Sequence, residues 1–441
     1  MNDIASRPNL AQAPRAQPVR HHEARRAALA CMLTLAAALG IGRFAFTPLL
    51  PLMLHGGGLD LRHGSWLASL NYAGYFAGAM ACAALRFTPA RVVRAGLVAT
   101  ALLTIVMGLT QSFWMWAIVR FVAGAVSAAT FVFASQWGLR RLTQLGAHAW
   151  SGVIYTGPGV GIVATGLLVS AAGGLGARAG WIGFGLVCAL IVAIVWPVFV
   201  ETPRQAHPAH PAAAASQARA AGAQSAPTAS RADAFWLVVL YGVPGFGYII
   251  TATFLPVIAR HALPGSIWPD LFWPMFGAAL IVGALCAARL PLHWDNRLLL
   301  AACYVLQALG IASGIVWPNA AGFSLGSVLI GLPFTAITLF AMREARIMRG
   351  DHAAALMGYA TGAYGIGQIL GPLAAAPLAA SSGSFSPSLW LAALSLVAGA
   401  AGLVWRTLRG AKRQGSWRIN IKRPSAEGTA RPAASGDDCR V

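Results

Sequence analysis

Twelve stretches of about twenty apolar residues recur between residues 28 and 406, and no other feature constrains the fold of this chain as tightly. Each is long enough to cross a hydrocarbon core ~30 Å thick. Backbone N–H and C=O groups in lipid must be satisfied within the segment, so such stretches read as helices. A β-barrel would show alternating strands of roughly ten residues instead. The expected fold is an all-α membrane protein with twelve transmembrane helices. Composition agrees, since only 10% of the 441 residues are charged and a soluble domain carries about a quarter.

A net charge of +20 invites a nucleic-acid-binding reading, and the placement of that charge argues against it. With residue 1 cytoplasmic and the spans alternating, 27 of the 32 Lys and Arg residues fall in cytoplasmic tails and loops. Only Arg62, Arg178 and Arg260 fall outside. This is the positive-inside bias of a polytopic membrane protein. The basic tail "RGAKRQGSWRINIKRP" reads as solvated and facing lipid headgroups. Residues 1–26 lack the apolar stretch of a cleaved signal. Abundant Arg and Ala beside two Lys suggest a bacterial gene. The expected placement is therefore the bacterial cytoplasmic (inner) membrane, multi-pass, with both termini cytoplasmic. Five of the six Cys lie in spans, with no CxxC and no ligand-spaced Cys/His cluster, so neither metal nor cofactor is expected. No nucleophile–base set or phosphate-binding glycine loop points to an enzyme.

Residues 201–233 are rich in Ala, Pro, Ser and Gln without apolar periodicity, and read as a cytoplasmic linker. The chain divides into an amino tail (1–27), a six-span half (28–200), this linker, a second six-span half (234–407) and a basic tail (408–441). The halves share a pattern. Gly40, Gly42 and Pro51 of span 1 (28–54) recur as Gly245, Gly247 and Pro256 of span 7 (235–258), an offset of 205. Gly152, Gly159 and Gly161 of span 5 (150–172) recur as Gly358, Gly365 and Gly367 of span 11 (353–379), an offset of 206. A unit duplicated in parallel repeat puts a solute site near the midplane between the halves.

Three stretches, "GIGRFAFTPLLP", "GSWLASLNYAGYFAGA" and "GFGYIITATFLP", make the chain resemble the major facilitator superfamily, and more narrowly its bacterial YbfB/YjiJ-type branch. The resemblance runs from about residue 28 to residue 407. It implies that spans 1, 4, 7 and 10 line a central cavity that opens to each side in turn, while 3, 6, 9 and 12 face lipid. It also matches Arg120 and Gly124 to the superfamily's span-4 Arg-x-x-x-Gly motif. Gly157, Pro158 and Gly161 match its Gly-Pro motif, which is typical of antiporters and exporters. The loop after span 2 keeps Arg86, Arg91 and Arg94 but lacks the aspartate of the family's gating loop.

Arg43 and Arg120 are the two cations inside spans. A charge at that depth costs at least ~2.5 kcal/mol unless paired or wetted. No acid falls in the core of a span; Asp270 and Glu344 come nearest, at span ends, and all ten His lie outside. Arginine presents a fork of donors suited to a carboxylate or similar oxyanion, so the absent partner reads as the solute. On an ideal helix Gly40, Arg43 and Thr47 share one face. The structural alternative is that Arg43 binds backbone carbonyls released by Pro48 and Pro51 or a neighbouring helix end, and the resemblance implies that Arg120 can instead support helix packing. The second half lacks both cations, and Tyr248 stands opposite Arg43 in the repeat. Solute contacts expected there are Tyr241 and Tyr248 of span 7 and Thr335 and Thr338 of span 10 (321–342), with Asn71, Tyr75, Tyr359 and Tyr364 secondary. Gly40, Gly42, Pro51, Gly157, Pro158, Gly161, Gly245, Gly247 and Pro256 are expected hinge or packing positions.

The expectation is a secondary active or facilitative transporter of a small organic solute, an anion favoured, working by alternating access as a monomer. An exporter of drug-like compounds and a transporter-like sensor are the alternatives. With no core acid or His to titrate, exchange, facilitated diffusion or a proton carried by the solute fits better than proton coupling through the protein.

Overall fold

A computed structural model describes residues 17–56, 58–84, 87–199, 230–291, 293–350 and 353–420. Most of the 201–233 linker, residues 1–16 and 421–441 of the tails, and Arg86 lie outside the described residues. All regular structure in the described residues is helical. Span 1 combines helices Gln17–Leu35 and Phe46–His55 with a π-helical turn, Ala36–Ile41, between them. Spans 2, 3 and 4 are Leu61–Ala84, Pro89–Leu109 and Phe113–Gln144. Span 5 is Ser151–Ile154 and Gly157–Ala172, and span 6 is Gly176–Val195. Spans 7, 8 and 9 are Arg231–Ala262, Trp268–Ala287 and Asn296–Val316. Span 10 is Ala320–Gly331 and Phe334–Arg349; spans 11 and 12 are Ala353–Ser382 and Ser386–Asn420.

Eleven of these spans are long and apolar enough to cross a membrane. Span 2 is the exception: it has 24 residues but carries Ser65, Ser69, Asn71, Tyr72 and Tyr75. Those polar groups face protein partners, as shown below. Twelve alternating spans put both chain tails and the central linker on one side of the bundle, here the tail side, and the opposite ends on the far side. Exposed tryptophans ring both ends. Trp66, Trp114, Trp268, Trp317 and Trp390 lie toward the far side, and Trp196, Trp236, Trp294 and Trp405 toward the tail side. Indole rings favour the headgroup level, so the two belts mark the membrane boundaries.

The most apolar stretch of span 1 is 83% buried and that of span 7 is 72% buried, against 39% for span 3 and 28% for span 6. Spans 1 and 7 are central, and 3 and 6 are peripheral. Glycine sets how closely the central spans approach. A methyl added at Gly40 would come 2.4 Å from the Cα of Gly161, joining spans 1 and 5 backbone to backbone. The repeat-related Gly367 would place a methyl 3.0 Å from the carbonyl carbon of Gly245, between spans 11 and 7. The same contact is therefore made in both halves.

Three spans are interrupted, each for a local reason. Pro158 follows the break in span 5 and Pro333 sits in the break of span 10, where the ring removes a donor and disfavours helix in the residue before it. In span 1 the Gly42 and Phe44 amides donate five residues back, to the carbonyls of Ala37 (2.9 Å) and Leu39 (3.0 Å). The helix restarts at Phe46, with Pro48 in its first turn, where proline is tolerated.

Candidate functional site

Arg43 lies just past the π-helical turn of span 1, and its amide donates to the Leu39 carbonyl at 3.2 Å. Gly40 packs on Gly161, while Thr47 is buried and its hydroxyl donates to the carbonyl of Ala252 on span 7 at 3.1 Å. The Arg43 side chain is 6% exposed. Its guanidinium carbon sits 4.1 Å from the ring centre of Tyr75 and 5.1 Å from those of Tyr72 and Phe44. Nη2 donates to Oε1 of Gln368 on span 11 at 2.8 Å. Nε is buried and has no acceptor. Among the described residues no carboxylate pairs with it.

Arg120 is brought to the same depth and serves the backbone. It is 2% exposed; Nη2 donates to the carbonyl of Arg43 at 3.3 Å and Nε to that of Leu67 at 3.4 Å. Its guanidinium lies 4.6 Å from the ring centre of Phe46. Asn71 in turn donates to the Arg120 carbonyl at 2.8 Å. Through these contacts Arg120 joins spans 1, 2 and 4.

Tyr248 faces Arg43 through Gln368, whose Nε2 donates to the Tyr248 hydroxyl. Tyr364 stacks on Tyr241 with ring centres 5.0 Å apart and on Tyr248 at 6.0 Å. Tyr241 donates to the Thr338 hydroxyl at 3.1 Å, and Thr338 is exposed. Thr335 has a buried hydroxyl with no partner. Phe334, just past the break in span 10, touches the rings of Phe44, Tyr248 and Phe276. Arg43, Tyr248, Tyr364 and Gln368 thus form one cluster, with Tyr241 and Thr338 continuing it. Gln368 was invisible to a search for charged partners because an amide carries no charge and lies 325 residues away in the chain.

On the far side of this cluster the halves are joined. Besides Thr47–Ala252, Ser69 donates to the Ile369 carbonyl at 2.8 Å, and the Tyr72 and Thr253 hydroxyls are 3.1 Å apart. Toward the tail side spans 5 and 8 stay in contact, with Gly159 against Gly277 and Ile281. An open space of about 760 Å³, bordered by Phe76, Met80, Phe235, Val238, Leu356 and Tyr359, lies between spans 2, 7 and 11.

The acids nearest the spans are committed elsewhere. Glu344 is buried and pairs with Arg297 at 2.7 Å; Asp270 pairs with Arg260 at 2.5 Å; Asp233 pairs with Arg406. No group of His, Cys, Asp or Glu among the described residues is placed to hold a metal.

A bundle of two six-helix repeats with a cluster of polar side chains between them defines a transporter, not an enzyme. A family model described as "Uncharacterised MFS-type transporter YbfB" matches residues 35–404. The chain belongs to that family of the major facilitator superfamily. A crystal structure of the nucleoside transporter NupG is similar at a TM-score of 0.68 and 14% identity, covering 85% of this chain and 99% of that one. At that identity the likeness shows the fold alone. No curated protein matches the chain.

Proposed function

We propose that this protein moves a small organic anion across the bacterial inner membrane by alternating access, with the tail side cytoplasmic. The observation that carries the reading is Arg43. It is a buried guanidinium between the halves, with no carboxylate partner among the described residues and an Nε lacking an acceptor. A carboxylate would satisfy that donor and receive charge-assisted hydrogen bonds, roughly twice as strong as neutral ones. Tyr248 and the unpartnered Thr335 hydroxyl offer further polar contacts, and the stacked tyrosines give an apolar wall. Arg120 positions Arg43 and does not touch the solute.

The 27-to-three division of basic residues supports the orientation. Exchange of solutes fits the absence of an unpaired acid beside the cluster among the described residues, and is the preferred mode. The test is flux in proteoliposomes. Arg43→Gln is expected to fold and insert but to lose transport of organic anions; unchanged kinetics would refute the reading.

A further inference from the structure

No acid among the described residues pairs with Arg43, but an amide does. A guanidinium has only donors, so the atom of Gln368 that meets it must be the carbonyl oxygen. The amide nitrogen is then aimed at Tyr248, whose hydroxyl accepts. Gln368 is 3% exposed, and this contact with Tyr248 fixes its orientation. It therefore presents one oxygen to Arg43 at 2.8 Å, where one oxygen of a carboxylate would sit.

Resting on the reading of Arg43 as the solute's cation, we infer that Gln368 is a neutral placeholder for the solute. In the empty carrier its Oε1 accepts from Arg43 Nη2. A solute carboxylate displaces it and also takes the unsatisfied Nε. The exchange is favourable because the incoming acceptor is charged and two-toothed where the amide is neutral and single. A glutamate at 368 would have nearly the same shape but would be a permanent competitor.

The contact also has a mechanical meaning. Arg43 belongs to span 1 and Gln368 to span 11, so their hydrogen bond ties the halves together where the far side is closed. The remaining ties there, Thr47–Ala252, Ser69–Ile369 and Tyr72–Thr253, involve only neutral groups. Displacing Gln368 removes the charge-assisted member of this set of ties when solute is present. The empty carrier stays closed on the far side, and solute-for-solute exchange outruns net flux.

Two readouts test this on the full-length protein. The first places spin labels at His55→Cys and His261→Cys, exposed positions at the far ends of spans 1 and 7, with the native cysteines replaced. Without solute, the parent should give a single short distance. Gln368→Leu should add a long one, because losing a hydrogen bond to a charged group shifts a two-state equilibrium by about tenfold or more. The second measures thermal stabilisation by benzoate and other simple carboxylates, with benzamide as the neutral control. Gln368→Leu should respond at least as strongly as wild type, whereas Gln368→Glu should fold and respond to none. An unchanged distance in Gln368→Leu, or a wild-type response in Gln368→Glu, overturns the inference while leaving the anion reading intact. If no carboxylate stabilises even the wild type, the anion reading falls and this inference with it.

Discussion

Arg43 is tolerated in the membrane by aromatic faces and an amide, not by an ion pair. Inserting it costs at least ~2.5 kcal/mol. Three rings within about 5 Å, at roughly 0.5–2 kcal/mol each, and a charge-assisted hydrogen bond are enough to offset that. These contacts offset the charge without a solute, and the unsatisfied Nε between the halves is left over for one. Arg120 differs in its partners, which are backbone carbonyls and the Phe46 ring. Arg120→Met would remove the bonds to the Arg43 and Leu67 carbonyls and the contact with the Phe46 ring. It should lower stability in detergent by ~1–3 kcal/mol, read as a drop in melting temperature. Both arginines were legible as unusual in the sequence. Their different partners were not, because these depend on which groups the fold places beside them.

Among elements, span 1 shows most clearly where sequence reasoning stops. Its apolar length and glycines identified a close-packed helix, and Gly40 does meet Gly161. Neither glycine nor proline spacing revealed that the helix would widen into a π-turn at Ala36–Ile41, or that Thr47 would donate to Ala252. Gly40→Ala would press a methyl onto the Gly161 backbone, and Gly245→Ala would press one to 2.3 Å from the Tyr364 carbonyl oxygen. Each should cost ~1–3 kcal/mol, as overpacking of a tight interface does, measurable by thermal unfolding. At the far side, Asp60 precedes span 2 and accepts from the His63 amide at 2.7 Å and its ring at 2.8 Å. The amide bond first, then the His63 side chain, hold this carboxyl below its usual range. Its stabilising contribution is present above the ordinary carboxylate pKa and disappears as pH falls through the lowered one. Asp60→Ala should therefore be less stable than wild type at neutral pH, and the gap should close in acid.

For the whole molecule, hydropathy and the glycine offsets gave twelve spans in two repeats, since lipid leaves the backbone few alternatives. Gln368 and the Tyr241–Tyr248–Tyr364 stack could not be assembled the same way, because the contacts join spans far apart in sequence. Asp233, Asp270 and Glu344 are paired at span ends, and among the described residues no acid lies beside Arg43 to carry a proton. Anion exchange in proteoliposomes should therefore persist when the pH gradient is collapsed, and its disappearance would show proton coupling. The central claim is that Arg43 receives the solute's negative charge. The most direct measurement is a thermal-shift screen of purified wild type and Arg43→Gln against organic anions, their neutral isosteres and organic cations. The account predicts stabilisation by a subset of the anions alone, abolished in Arg43→Gln. Stabilisation by cations or neutral compounds that survives the substitution would contradict it.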